Sequence, residues 1–164
     1  MNGLRLHALV QSGDRDEVLA EIERVWGGML DRGPGTFWEE ATLAGDPFAM
    51  YGRPFGRSLC HAWSAGPAAI IPEAVLGILP LDDGWSSFTV EPSLAHLDWA
   101  ALVVPAALGD IVVSADRDAV EVDVPPGAAL VHPGGDRVEG PSRVRWAYGA
   151  REGAPSDVRV TGGA

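Results

Sequence analysis

The sequence predicts an α+β chain, with a helical front followed by an antiparallel β-sandwich. Three observations carry this expectation. Apolar residues recur at helical spacing over residues 14–30, and a long apolar segment punctuated by prolines covers 59–81. Beyond Gly84 the period changes to strict alternation.

In the front part, Val18, Leu19, Ile22, Val25, Trp26, Met29 and Leu30 form one apolar stripe on a helix over 14–30. Asp14 is expected to cap it, with Glu17 three residues later completing a capping-box pattern. Gly13 closes a shorter arm, about Leu4–Gln11, so the two arms make a helical hairpin. "DRGPG" (31–35) then breaks the helix, because glycine and proline continue it only at a cost. Residues 58–79 read as two more helical pieces, with Ser58 capping the first and Pro72 in the first turn of the second. Both pieces are apolar nearly all round and need cover from other elements.

In the back part, "AVEVDV" (119–124) sets Val120, Val122 and Val124 against Glu121 and Asp123. "RVRWAY" (143–148) sets Val144, Trp146 and Tyr148 against Arg143, Arg145 and Ala147. "SFTVEP", "WAALVVP" and "GDIVVSA" supply further strands, and turns fall at Pro125-Pro126-Gly127 and Pro133-Gly134-Gly135. The tail "GAPSDVRVTGGA" adds one edge strand. Short strands at this spacing imply a sandwich. The division falls at residue 80, giving 1–80 and 81–164.

Composition narrows the function. Hydrophobic residues make up 46% of the 164, which excludes disorder by composition. The net charge of −11, with arginine supplying every basic residue, argues against nucleic acid or an anionic membrane as the main partner. Cys60 is the single cysteine, so an internal disulfide and a cysteine-rich metal site are both excluded, and a buried inert thiol is expected. The N-terminus has no basic start followed by a long apolar run, which reads as a cytoplasmic protein. The apolar run 59–81 is long enough to span a bilayer, but His61, Glu73, Pro67, Pro72 and Pro80 interrupt it. His96 and His132 have no carboxylate or cysteine at ligand spacing, so neither a metal nor another cofactor is expected.

"GTFWEEATLAG" (35–45) is the stretch that asks for a function. It joins two aromatic rings, Phe37 and Trp38, to two carboxylates, Glu39 and Glu40. Adjacent residues face different ways, so the two carboxylates do not serve one ligand together. The residues alone leave two readings: a polar cleft holding one of them, or solvated carboxylates in the first turn of a helix. A lone His61 on an apolar segment is likewise either a core histidine or a ligand contact.

The order of motifs, "WGGMLDRG", "GTFWEE", "GRPFGRSLCHAWSAGP" and "LGILPLDDGWSSFTVEPSLAHLDWA", resembles the C-terminal end of bacterial α-L-rhamnosidases and related inverting glycoside hydrolases. The resemblance runs over about residues 3 to 132. It implies that the front holds the last hairpins of an (α/α)6 barrel, leading directly into a C-terminal β-sandwich. It also implies that Glu39 is the general base, that His61 contacts the sugar, and that Trp38 and Trp63 line the sugar site. The implied substrate is a terminal rhamnose-like sugar. The family's general acid lies in upstream barrel segments outside this chain, "VPAALGDIVV" departs from the family's turn, and the stretch after 132 matches poorly.

In that frame Trp38 and Glu39 are expected to be partly exposed beside His61 and Trp63, with Glu40 pointing elsewhere. Arg53 and Arg57, on the long loop 46–58, either rim the cleft or sit on a solvated loop. Trp26, Trp85, Trp99 and Trp146 are assigned to cores. Hairpins covered on one side only imply self-association or an upstream barrel fragment as partner. The alternative function is a non-catalytic carbohydrate-binding or partner-packing module.

Overall fold

The computed structural model describes residues 2–40, 49, 52–149 and 157–159. They fall in two compact units, Met1–Ile71 and Pro72–Ala164.

The first unit is helical. Helix α1 (Asn2–Ser12) ends where Gly13 turns with φ +82°, and α2 (Arg15–Ile22) follows. The chain stays helical through a wider π-type turn, Glu23–Gly27, and a last α-helical turn, α3 (Gly28–Leu30). Of the predicted stripe, Val18, Leu19, Val25, Trp26 and Met29 are buried and Ile22 is half-buried, but Leu30, in the last turn of the helix, is 64% exposed. The capping expectation fails: Asp14 makes no side-chain cap hydrogen bond. Its φ/ψ of −90°/62° lies outside the extended region from which a cap side chain reaches back. The acidic first turn, Asp16 and Glu17, still favours the helix dipole.

Glu21 is only 4% exposed, yet Arg24 grips it at 2.8 Å and Arg5 from α1 lies 3.5 Å away. The short helix α4 (Gly66–Ile71) crosses α1 where Gly66 meets Gly3, and a Cβ on Gly66 would stand 3.1 Å from the Gly3 Cα. Glycine lets the two backbones approach this closely.

Residues 58–61 differ from the predicted helix. Their backbone bonds run sideways to residues 37–39, and Ser58 does not cap a helix. Helical structure begins at a 3-10 turn, Ala62–Ser64, and passes through α4 into a π-type turn, Pro72–Leu76.

The second unit holds two sheets. One has the order β1-β2-β6-β7, built from Leu79–Pro80, Ser87–Thr89, Ala129–Val131 and Arg137–Glu139. The other has the order β3-β4-β5-β8-β9: Trp99–Ala106, Gly109–Asp116, Ala119–Val124, Ser142–Ala147 and Asp157–Arg159. The tail does supply the edge strand. One pairing departs from an all-antiparallel plan, because β2 and β6 run parallel. The three-strand meander β3–β5 lies between them in sequence, and such a long connection permits the parallel crossover that a tight hairpin forbids.

Alternation sorts the five-stranded sheet into faces. Ile111, Val113, Val120, Val122, Val144 and Trp146 are buried on one face. On the other, Glu121 pairs with Arg145 at 3.1 Å and Asp123 with Arg143 at 2.5 Å, across registered strands. The buried face meets the other sheet directly: the rings of Trp146 and His132, the latter just past β6, stand edge-to-face at 5.0 Å.

The four core tryptophan assignments hold up differently. Trp26 and Trp146 are buried, and Trp85 is half-buried. Trp99 is a correction, at 68% exposed, because β3 is an edge strand with no residue fully buried on either face.

His132 carries a stability prediction. It is 1% exposed, and its Nδ1 accepts the Gly134 N–H at 3.2 Å. Burial holds its pKa below the ordinary 6.5, with Asp136 opposing more weakly. A lowered folded-state pKa means that the unfolded chain binds the proton more readily. Its contribution to stability is therefore complete above pH 6.5 and lost as pH falls towards the folded value. Urea unfolding should show this decline below pH 6.5, and His132→Gln should remove it; an unchanged decline in the variant would assign it to other groups.

Candidate functional site

The site is built on two non-helical segments, 37–39 and 58–61, joined by backbone hydrogen bonds. The Glu39 N–H donates to the Ser58 carbonyl at 2.9 Å, and the His61 N–H donates to the Phe37 carbonyl at 2.8 Å. Two residue steps on one segment oppose three on the other, as in a β-bulge, which turns side chains locally out of strict alternation. The Thr36 hydroxyl donates to the Leu59 carbonyl and ties the start of the pairing. The Gly-Pro-Gly break after α3 is what frees this backbone from the helix direction.

Glu39 is half-buried, and its Oε2 accepts the Ser58 N–H at 3.2 Å. The Ser58 backbone dipole thus orients the carboxylate. His61 is half-buried on the facing segment. Trp63, in the 3-10 turn immediately after, is 92% exposed. Glu40 is directed to Arg57, whose Nη2 stands 3.4 Å from Oε2 and 3.3 Å from the Ala49 carbonyl. Arg57 is buried at its side chain (3% exposed), whereas Arg53 is exposed. The rest of the predicted loop, residues 46–48, 50 and 51, lies outside the described residues.

Trp38 does not show the expected partial exposure: it has none. Its ring lies against Gly33, where an added Cβ would come within 2.7 Å of Cε2 and 2.8 Å of Nε1. The Arg32 guanidinium carbon stands 5.7 Å from the ring centroid, a cation-π distance. The Trp38 N–H points to the Met29 sulfur at 3.4 Å, and its carbonyl accepts from the Ser64 hydroxyl. Ser64 is itself anchored, since its carbonyl accepts the Trp26 indole N–H at 2.8 Å. A hydrogen-bonded chain thus runs from the long helix through Ser64 to the residue that precedes Glu39. Trp38 serves as the packed base of the segment.

Cys60 is exposed, against the expected buried thiol, because it lies at a bend in the non-helical segment 58–61 and not on an apolar helix. Sequence reasoning also missed the supporting residues Gly33, Ser58 and Ser64. For Gly33 the only signal was the helix break; that a ring would occupy its missing side-chain space has no sequence signature. Among the described residues no cluster of His, Cys, Asp and Glu is arranged to hold a metal ion, and no helix is long and apolar enough to cross a membrane.

No protein-family model matches the chain. No curated protein matches it either. Among solved structures, it is similar to the GH78 family rhamnosidase of Bacillus sp. GL1, with 33% identity over 70% of this chain and a TM-score of 0.60. The chain spans 12% of the length of that structure. The likeness in sequence and fold supports a rhamnosidase-like relationship for this chain.

Proposed function

We propose that the chain is the C-terminal portion of an inverting glycoside hydrolase of the α-L-rhamnosidase type, acting on terminal α-L-rhamnosyl or similar glycosides. The observation that carries this reading is the 33% identity to a GH78 rhamnosidase over 70% of this chain. In this reading residues 1–80 are the last hairpins of an (α/α)6 barrel and 81–164 its C-terminal β-sandwich. Glu39 is the general base that deprotonates the attacking water, with its carboxylate oriented by the Ser58 N–H. His61 and Trp63 contact the sugar, while Trp38, closed off from water, positions the segment from below.

Inversion needs a protonated acid across the sugar from the base, roughly 6.5–9.5 Å away. Glu40 does not fill that role, because it is directed to Arg57. The acid then comes from barrel segments upstream. The isolated chain should therefore leave aryl α-L-rhamnosides unhydrolysed. Turnover by the isolated chain that Glu39→Gln abolishes would place an acid within it. Grafted into the Bacillus sp. GL1 rhamnosidase in place of the similar segment, residues 3–132 should support turnover. Glu39→Gln in that chimera should then lower kcat by about 10²–10⁴-fold, the usual worth of a general base; an unchanged kcat would remove Glu39 from the mechanism.

The alternative, a non-catalytic module that packs on a partner, draws on one observation. Leu4, Leu30, Phe55 and Trp63 are 64% to 92% exposed within the helical unit. Side chains of this size left in water mark a surface awaiting cover. The chain should bind a hydrophobic dye and self-associate with rising concentration, and a clean monomer with no dye binding would count against it.

A further inference from the structure

We propose that the exposed face of the five-stranded sheet carries a carbohydrate-binding site, centred on Trp99, for a single neutral pyranoside with adjacent hydroxyls. It lies in the β unit, shares no residue with the Glu39 segment, and does not rest on the hydrolase reading.

Trp99 begins the edge strand β3 and is 68% exposed, although the fold supplies buried faces for Trp146 nearby in the same sheet. An open indole offers a flat, apolar and polarisable platform, the complement of the C–H face of a pyranose. Beside it is a depression of about 280 Å3, lined by Trp99, Ser114, Asp116, Glu121 and Arg145 and floored by small residues such as Ala115 and Ala119. That is just below the range of roughly 300–1,000 Å3 for drug-sized ligands, and it suits one sugar ring.

Strand register sets the polar groups in rows. Trp99 stands opposite Asp116, Ala101 opposite Ser114, Ser114 opposite Glu121, and Glu121 opposite Arg145. Donors and acceptors thus extend away from the indole at the strand spacing, about 4.8 Å. They are already fixed before any ligand arrives. The Arg145 Nε holds the Glu121 carboxylate at 3.1 Å. Asp116 Oδ1 accepts the backbone N–H groups of Asp118 and Ala119, both at 2.8 Å. Those two bonds keep the Asp116 carboxyl below its ordinary 3.8, so it stays an ionised acceptor.

The charge balance selects the ligand. Glu121 and Arg145 cancel, which leaves Asp116 to repel anions such as uronates and phosphates. Carboxylate acceptors and a guanidinium fork match neighbouring hydroxyls, which donate and accept in turn.

The test uses NMR of the full chain, titrated with methyl α-L-rhamnopyranoside, methyl β-D-galactopyranoside and methyl α-D-glucopyranoside. At least one of these should shift the Trp99 indole N–H and the Ser114, Asp116 and Glu121 amides together and saturably. Trp99→Ala, at an exposed position that tolerates truncation, should abolish the amide shifts with unchanged thermal unfolding. Arg145→Gln should weaken binding about tenfold, the worth of one charge-assisted hydrogen bond. Glu39→Gln should leave the titration unchanged, which separates this site from the hydrolytic one. No saturable shift with any of the three glycosides would overturn the proposal, as would amide shifts that persist in Trp99→Ala. Shifts that follow protein dilution instead of sugar would overturn it too, and would mark the face as a contact between copies of the chain.

Discussion

Gly140→Ala is expected to destabilise the β unit by about 3 kcal/mol, at the upper end of what overpacking costs. Gly140 lies between β7 and β8, and its N–H donates to the Ala128 carbonyl at 2.9 Å. A Cβ there would stand 2.7 Å from both the Pro125 carbonyl carbon and the Val124 carbonyl oxygen, and closer still to the Pro125 oxygen. These are main-chain atoms, so no rotamer change relieves the clash. The turn after β5 must move, and with it the Ala128 N–H that donates to the Pro125 carbonyl at 3.2 Å. Gly135→Ala is the control. Gly135 has φ +90° but nothing within 4 Å of an added Cβ, so only backbone strain remains, worth about 1–2 kcal/mol. Chemical denaturation should show the larger loss at Gly140. Equal losses would mean that the turn yields easily and that the close approach carries no weight.

The contrast between these two glycines shows what a sequence does and does not reveal. Gly135 sits in "HPGGD", where the turn chemistry alone locates it. Gly140 in "EGPS" reads as another turn, yet its requirement comes from the chain end of β5, fifteen residues away in sequence. Local patterns recover what local physics sets: the stripe over 14–30 as far as Met29, the alternation in β4, β5 and β8, and the tail strand. They fail where a long-range partner decides. Residues 58–61 are apolar enough for a helix, but residues 37–39 capture their backbone groups, and a single sequence offers no trace of that pairing. Trp99 fails for a related reason. Alternation predicts which residues share a face of β3, but an edge strand depends on neighbours that the pattern does not specify.

The candidate site was legible mainly through motif order, and its physics came afterwards. "GTFWEE" joined aromatic rings to carboxylates without saying which of them meets water. The structure distributes them: Trp38 inward, Glu39 at the boundary under the Ser58 N–H, Glu40 to Arg57. The supports that make this distribution possible, Gly33, Met29 and Ser64, are common residues in unremarkable surroundings. Their roles exist only once the segment is folded against the helix.

The two tryptophans assigned to the sugar site should therefore behave in opposite ways. Trp38→Ala should cost about 4 kcal/mol, the usual loss for a fully buried large ring. Trp63→Ala, at a ring 92% exposed, should stay within about 0.5 kcal/mol of the parent. Domains of this size hold only about 5–15 kcal/mol in total, so Trp38→Ala should bring the helical unit near unfolding at 37 °C, visible as lost helical ellipticity. Gly33→Ala tests the same packing from the other side. Its Cβ would occupy the space of the Trp38 ring, and the ring must leave or the Gly-Pro-Gly break must shift. Either response unseats the Trp38 carbonyl from the Ser64 hydroxyl and displaces Glu39 from Ser58. Combining Gly33→Ala with Trp38→Ala should recover part of the loss, because the truncated side chain vacates the space that the new methyl needs. Additive losses in the double variant would show that Gly33 acts through the backbone alone, and equal stability of the two tryptophan variants would show that Trp38 is not the base on which this segment rests.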